Sequence, residues 1–239
     1  MNLFEWLRPT KRAQPQALTT QQSTRLSQLT RPGPLSEQAL REQRWVVLDL
    51  ETSGLNMSRD EVLSIGALVI EDGAIDFGQQ FERTLLRTDH KLNPSVLIHG
   101  LGPSAIAAGT EPVEALLDFM EFLGDSPVLA FHAPFDQHMI GRALKESLGY
   151  RLQHHFFDAA EMAPMLCPQA SFRQAGLDDW TAFFGLCAEE RHHASADALV
   201  TAELALILFS HARRQGIDSA AKLDQSLSQW RRRQNSHSF

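Results

Sequence analysis

"VVLDLETSGL", residues 46–55, is an apolar run that ends in two carboxylates, Asp49 and Glu51. Side chains two apart on a strand lie on one face, here about 7 Å apart along the backbone. Two ionised carboxylates sharing a partly dry site repel each other unless a cation sits between them. A lone D-x-E at a strand end is common, and its plain alternative is that one carboxylate points into solvent. Gly54, just beyond, permits a sharp turn and close backbone approach to a ligand.

Outward from this stretch the chain alternates. "WVVLDLET" reads as a central strand, apolar on both faces. "VLSIGALVI" is a second strand, joined by the Asp-Gly of "EDGAID" to a third, "FGQQFERTLL", in a hairpin. "PVEALLDFMEFL" has helical spacing, "PVLAF" is a fourth strand, and "DQHMIGRALKESLG" is a helix closed by Gly149. "HHFFDAAEMAPML" reads as a short strand into a helix and "LDDWTAFFGL" as another helix. "SADALVTAELALILFSHARRQG" is a long helix, apolar on most faces and so expected in the core. Strands first adjacent, then interleaved with helices, predict an α/β fold with a mixed sheet.

Residues 1–44 are interrupted by Pro9, Pro15, Pro32 and Pro34 and rich in Gln and Thr. They predict a basic N-terminal arm, with Ser36 capping a short helix over "EQALREQ". The body is expected over 45–215, and 216–239 as a tail with a basic end. Charge divides the same way. The chain carries −7; residues 1–44 hold seven basic against three acidic groups, and Arg231, Arg232 and Arg233 are basic too, which leaves −14 on residues 45–229. Such a body is a poor clamp for duplex phosphates, although the basic ends could hold nucleic acid or an acidic partner. The 239 residues hold two cysteines, Cys167 and Cys187, which give neither a disulfide framework nor a thiolate zinc site. The sequence shows no secretory signal and no run of 18 apolar residues, so it reads as cytoplasmic, with no membrane partner.

Three further features bear on the carboxylates. Asp136, in "VLAFHAPFDQH", follows a strand and opens a helix. It therefore stands at the C-terminal edge of the sheet, where α/β folds hold ligands; its plain alternative is a helix N-cap. Asp197, in "HHASADALV", lies in the first turn of the most apolar helix, where a carboxylate is costly unless it meets a cation or donors. His192 lies five residues before Asp197, in the approach to that helix, and His99 lies in the loop "LIHGL".

Together these residues resemble the DEDDh group of 3′→5′ exonucleases, which includes the proofreading epsilon subunit of bacterial DNA polymerase III and ribonuclease T. The first motif is similar to Asp49-Leu50-Glu51-Thr52-Ser53-Gly54-Leu55, the second to Ala133-Pro134-Phe135-Asp136, and the third, H-x-A-x-x-D-A, to residues 192–198. "IHG" at 98–100 also resembles a segment of the group, and the match covers roughly 45–211. The second motif departs in one place: Phe131 and His132 stand where the group has His-Asn.

The resemblance implies a ribonuclease H-like mixed β-sheet flanked by α-helices, and two divalent cations, Mg²⁺ or Mn²⁺. All-oxygen ligands suit those ions. Asp49 would bridge them, Glu51 and Asp197 would complete one site, and Asp136 would hold the other. His192 would take the proton of the attacking water, a task suited to a pKa near 6.5. Thr52, His99 and Phe135 would touch the terminal nucleotide, and the product would be a nucleoside 5′-monophosphate. The likeness to the epsilon group favours DNA over RNA, and a DNA polymerase or other replication or repair protein as partner. Three other readings stand beside this one: an RNA-trimming exonuclease, a metallophosphatase or nucleotidase, and an exonuclease-like scaffold without catalysis.

Overall fold

The computed structural model describes residues 17–87, 101–170, 172, 175–186 and 193–236. Five strands form one sheet: β1 (Trp45–Thr52), β2 (Val62–Glu71), β3 (Ala74–Thr84), β4 (Val128–Ala130) and β5 (Phe156–Asp158). Their order is β3-β2-β1-β4-β5. β1–β2 and β2–β3 pair antiparallel, whereas β1–β4 and β4–β5 are parallel. The expected mixed sheet is present. The β2–β3 turn is the Asp-Gly hairpin, with φ of 52° at Asp72 and 76° at Gly73, the left-handed pair such a turn requires.

The helices are α1 (Thr20–Gln28), α2 (Pro103–Ala107), α3 (Pro112–Leu123), α4 (Ala133–Leu148), α5 (Ala159–Leu166), α6 (Leu177–Phe184), α7 (Ala194–Arg214) and α8 (Ala220–Ser236). Alternation along β1 feeds two cores. Trp45 and Val47 pack with α5, α7 and α8 on one face; Val46, Leu48 and Leu50 pack with α3 and α4 on the other. Among the described residues α7 is the one helix apolar and long enough to cross a membrane, with mean hydropathy 1.3. It lies instead across β1 and β2, with Leu204, Ala205 and Leu208 fully buried.

Two segments differ from expectation. "EQALREQ" forms turns rather than a helix, because Ala39 bridges to Ser219 and Leu40 inserts into the core beside Trp45. The Trp45 indole N–H donates to the Leu40 carbonyl at 3.1 Å. Upstream, α1 is closed by a Thr19–Gln22 capping box and docks on α3. There Arg25 meets Glu114, Asp118 and Glu121 at 2.6–2.7 Å. At the other end, 216–236 is no tail: α8 buries Leu223 and Leu227 against α5. The boundaries expected at 44/45 and 215/216 therefore do not coincide with the packing, since apolar side chains on both sides share one core.

β3 forms one edge of the sheet. Between Leu68 and Val69 of β2 the register jumps from Gln80 to Asp76, so residues 77–79 stand outside the ladder. Asp76 pins this bulge, accepting from the Gly78 N–H and the Gln79 amide, both at 2.8 Å, and these bonds hold its carboxyl below the usual range. Phe77 is left 64% exposed at its crest.

Candidate active site

β1 carries Asp49 and Glu51 on the same side as Trp45 and Val47, the side covered by α7. Asp49 stands opposite Gly66 of β2 in the sheet register. A Cβ on Gly66 would collide with the backbone of Ala194 and Ser195. The bare glycine thus lets the first turn of α7 rest directly on the sheet, and Asp197, within that turn, comes down beside β1. Ligand atoms of Asp49, Glu51 and Asp197 all lie within 4.8 Å of one another, with Glu51 and Asp197 buried. Three carboxylates so close, offering oxygen donors alone, are chemically matched to a hard divalent cation.

Asp136 arrives from the opposite core. α4 begins three residues earlier than the sequence pattern placed it, so the N-cap is His132 and Asp136 lies inside the first turn. Asp136 is buried, and the Leu50 N–H donates to its carboxylate. Burial, with the negative charges of Asp158 and Glu51 added, pushes its carboxyl well above the usual carboxylate range. A cation nearby would relieve all three penalties.

The turn into α4 rests on a residue that sequence reasoning passed over. Asp158 ends β5 and caps α5. Its carboxylate accepts from the N–H groups of Ala160 and His132, each at 2.9 Å, and from that of Ala133. His132 has φ 63°, in the left-handed region that Asn tolerates better than His. The resembled group's Asn at this position now has a physical reason. Burial raises the Asp158 carboxyl despite these donors. The one signal in the sequence was an acid closing an apolar strand, "FFD", at the same edge as "LDLE".

The loop from β1 to β2 is built around Asp60. It accepts from the Ser53 hydroxyl (3.2 Å) and the Asn56 N–H (2.7 Å). A Cβ on Gly54 would stand 2.5 Å from an Asp60 oxygen. Arg142 of α4 donates to the carbonyls of Asp60 and Ser58, tying this loop to the helix that carries Asp136. At the loop's crest Leu55 is 85% exposed. Thr52 is buried, its hydroxyl donating to the Gly54 carbonyl at 2.9 Å, and Phe135 is half-buried against the α3–α4 core. His193, N-cap of α7, turns its ring to Ser195 (3.1 Å) and to Glu82 of β3 (3.5 Å). His192 and His99 lie outside the described residues.

Acidic side chains gather at the carboxyl edge of a mixed sheet, under one long helix, and solved nuclease structures share this fold. Exonuclease I of E. coli in complex with a dT13 oligonucleotide aligns over 73% of this chain and 42% of its own, with a TM-score of 0.60 at 16% identity. Cell-death related nuclease 4 aligns over 71% and 64%, with a TM-score of 0.61 at 11% identity. The profile of the exonuclease family matches residues 46–205, and the chain belongs to that family. Curated relatives include PolC-type DNA polymerase III of Thermotoga petrophila, 29% identical over 75% of this chain, and of Bacillus subtilis, 26% identical over 80%. The chain spans 13% of the length of either relative.

Proposed function

We propose that this chain is a divalent-metal-dependent 3′→5′ exonuclease that removes nucleoside 5′-monophosphates from single-stranded or frayed 3′ ends, DNA in preference to RNA. The observation that carries the reading is the convergence of Asp49, Glu51 and Asp197 within 4.8 Å, with Asp136 beside Glu51. Relatives that are DNA polymerases, and a structural neighbour in complex with a dT13 oligonucleotide, support DNA as substrate. They also support a polymerase or another replication protein as partner, with a cytoplasmic location.

Asp49, Glu51, Asp136 and Asp197 would hold two Mg²⁺ or Mn²⁺ ions. When bound, such ions stabilise the attacking and leaving oxygens of an in-line displacement at phosphorus. His192 takes the proton of the attacking water. The new bond joins that water's oxygen to the terminal phosphorus; the bond broken is to the 3′ oxygen of the preceding nucleotide, which leaves with a proton as a hydroxyl. Thr52, His99 and Phe135 position the terminal nucleotide, Phe135 offering a ring to its base or sugar.

The test is a gel assay with Mg²⁺ or Mn²⁺ on three 5′-labelled substrates: single-stranded DNA, duplex DNA with a mismatched 3′ end, and RNA of the same sequence. A shrinking ladder that Asp49→Ala abolishes supports the proposal, and the preferred substrate decides DNA against RNA. Absence of cleavage by the wild type under both metals would overturn it in favour of a non-catalytic scaffold.

A further inference from the structure

The basic end of the chain lies at the catalytic edge. α8 starts beside the foot of β1, where the Leu40 N–H donates to the Asp218 carbonyl (2.7 Å) and the Ala221 N–H to that of Ser36 (3.2 Å). It then runs along α5, burying Ala220, Leu223 and Leu227. Near its far end, Arg231 pairs with Glu161 at 2.5 Å. Glu161 stands in the first turn of α5, three residues after Asp158, and Asp158 holds the turn into the helix of Asp136. Arg231 is thus linked to Asp136 through one ion pair and one capped turn. Arg232 and Arg233 are exposed beside it, and Trp230 is half-buried. Meanwhile the edge itself gathers Asp49, Glu51, Asp136, Asp158 and Asp197 on a body of charge −14. A polyanion approaching that edge is repelled except where basic groups offset the field.

We propose that residues 230–233, at the end of α8, are a second contact for single-stranded nucleic acid. They hold the strand several nucleotides away from the terminal one, with Arg232 and Arg233 on phosphates and Trp230 against a base. Arginine beside an aromatic ring is the combination that grips single strands without reading sequence. This rests on the exonuclease reading above.

The experiment uses the full chain and the charge-reversed pair Arg232→Glu/Arg233→Glu, with Arg232→Lys/Arg233→Lys as the conservative control. Arg231 is left intact because its pairing with Glu161 holds α8 down. Two readouts are compared: kcat/KM on thymidine single strands of about 20 and about 4 nucleotides, and binding of the longer strand in EDTA across a salt series. The expected result is a fall of about tenfold in the ratio of long- to short-strand kcat/KM, with a shallower salt dependence of binding, as loss of roughly two phosphate contacts dictates. The lysine pair should retain most of the wild-type ratio. An unchanged ratio and salt slope in the glutamate pair would overturn the proposal, as would equal losses on both strands, which mark a disturbed active site. If the wild type degrades neither strand, the exonuclease reading fails, and the binding series still decides for or against the contact.

Discussion

His193 and Asp197 sit in one turn of α7 yet serve different neighbours: Asp197 faces Asp49 and Glu51, whereas the His193 ring is occupied by Ser195 and Glu82 on the edge strand. A ring so engaged is badly placed to take a proton from water at the carboxylates. His192→Ala is therefore expected to lower the rate by about 100- to 10,000-fold, the usual worth of a general base, while His193→Ala keeps most of it. Single-turnover assays compare the two, and the opposite ranking would move the base by one position. The carboxylates make their own prediction. Crowded without a cation, they repel, so Asp49→Asn should raise the melting midpoint in EDTA above wild type and shrink the rise that Mn²⁺ produces. Calorimetry with and without metal measures both. Asp49, Glu51, Asp136 and Asp197 were legible in the sequence because each stands at the end of an apolar element. Asp158 was not: its strand is three residues long, too short for a period to show.

At the scale of elements, the site depends on how low α7 sits. Gly66 sets that height. Gly66→Ala must push the Ala194–Ser195 backbone off the sheet, at a cost of about 1–3 kcal/mol, typical of overpacking. It should also draw Asp197 away from Asp49. Urea denaturation should show the lost stability, and metal titration a weakened affinity; normal values of both would mean that the helix can tilt without consequence. The long apolar α7 and the amphipathic α3 were readable from their spacing. α1 was not, since its Gln- and Thr-rich sequence has little apolar period. Its place is set by Arg25 against three carboxylates some 90 residues away, and pairings across that separation leave no local trace.

For the whole molecule, stability should respond to acid through His154. It is buried, its Nε2 lies 2.8 Å from the Gly124 carbonyl, and its Nδ1 has no hydrogen-bond partner among the described residues. A second proton would therefore enter a buried site, and burial holds the pKa below the ordinary 6.5. With the folded pKa below the unfolded one, the contribution is complete above about pH 6.5 and declines as pH falls toward the folded value. Thermal melts from about pH 7.5 to about pH 5 should fall more steeply for wild type than for His154→Gln; parallel curves would assign the acid response elsewhere. The limits of the folded body were the least legible feature, because Leu40 and Leu227 look like isolated apolar residues in polar company and reveal their role only when they meet Trp45 and α5.

The bulge on β3 carries a consequence beyond its own strand. A sheet with a long straight rim invites a neighbour's backbone to lie against it, molecule after molecule. Here three successive peptide units are thrown out of line at mid-rim and fastened there by Asp76, so an incoming strand could match only a few units on either side before losing register. Along this rim the described sheet stops at β3, and a second copy of the protein meets no continuous template there.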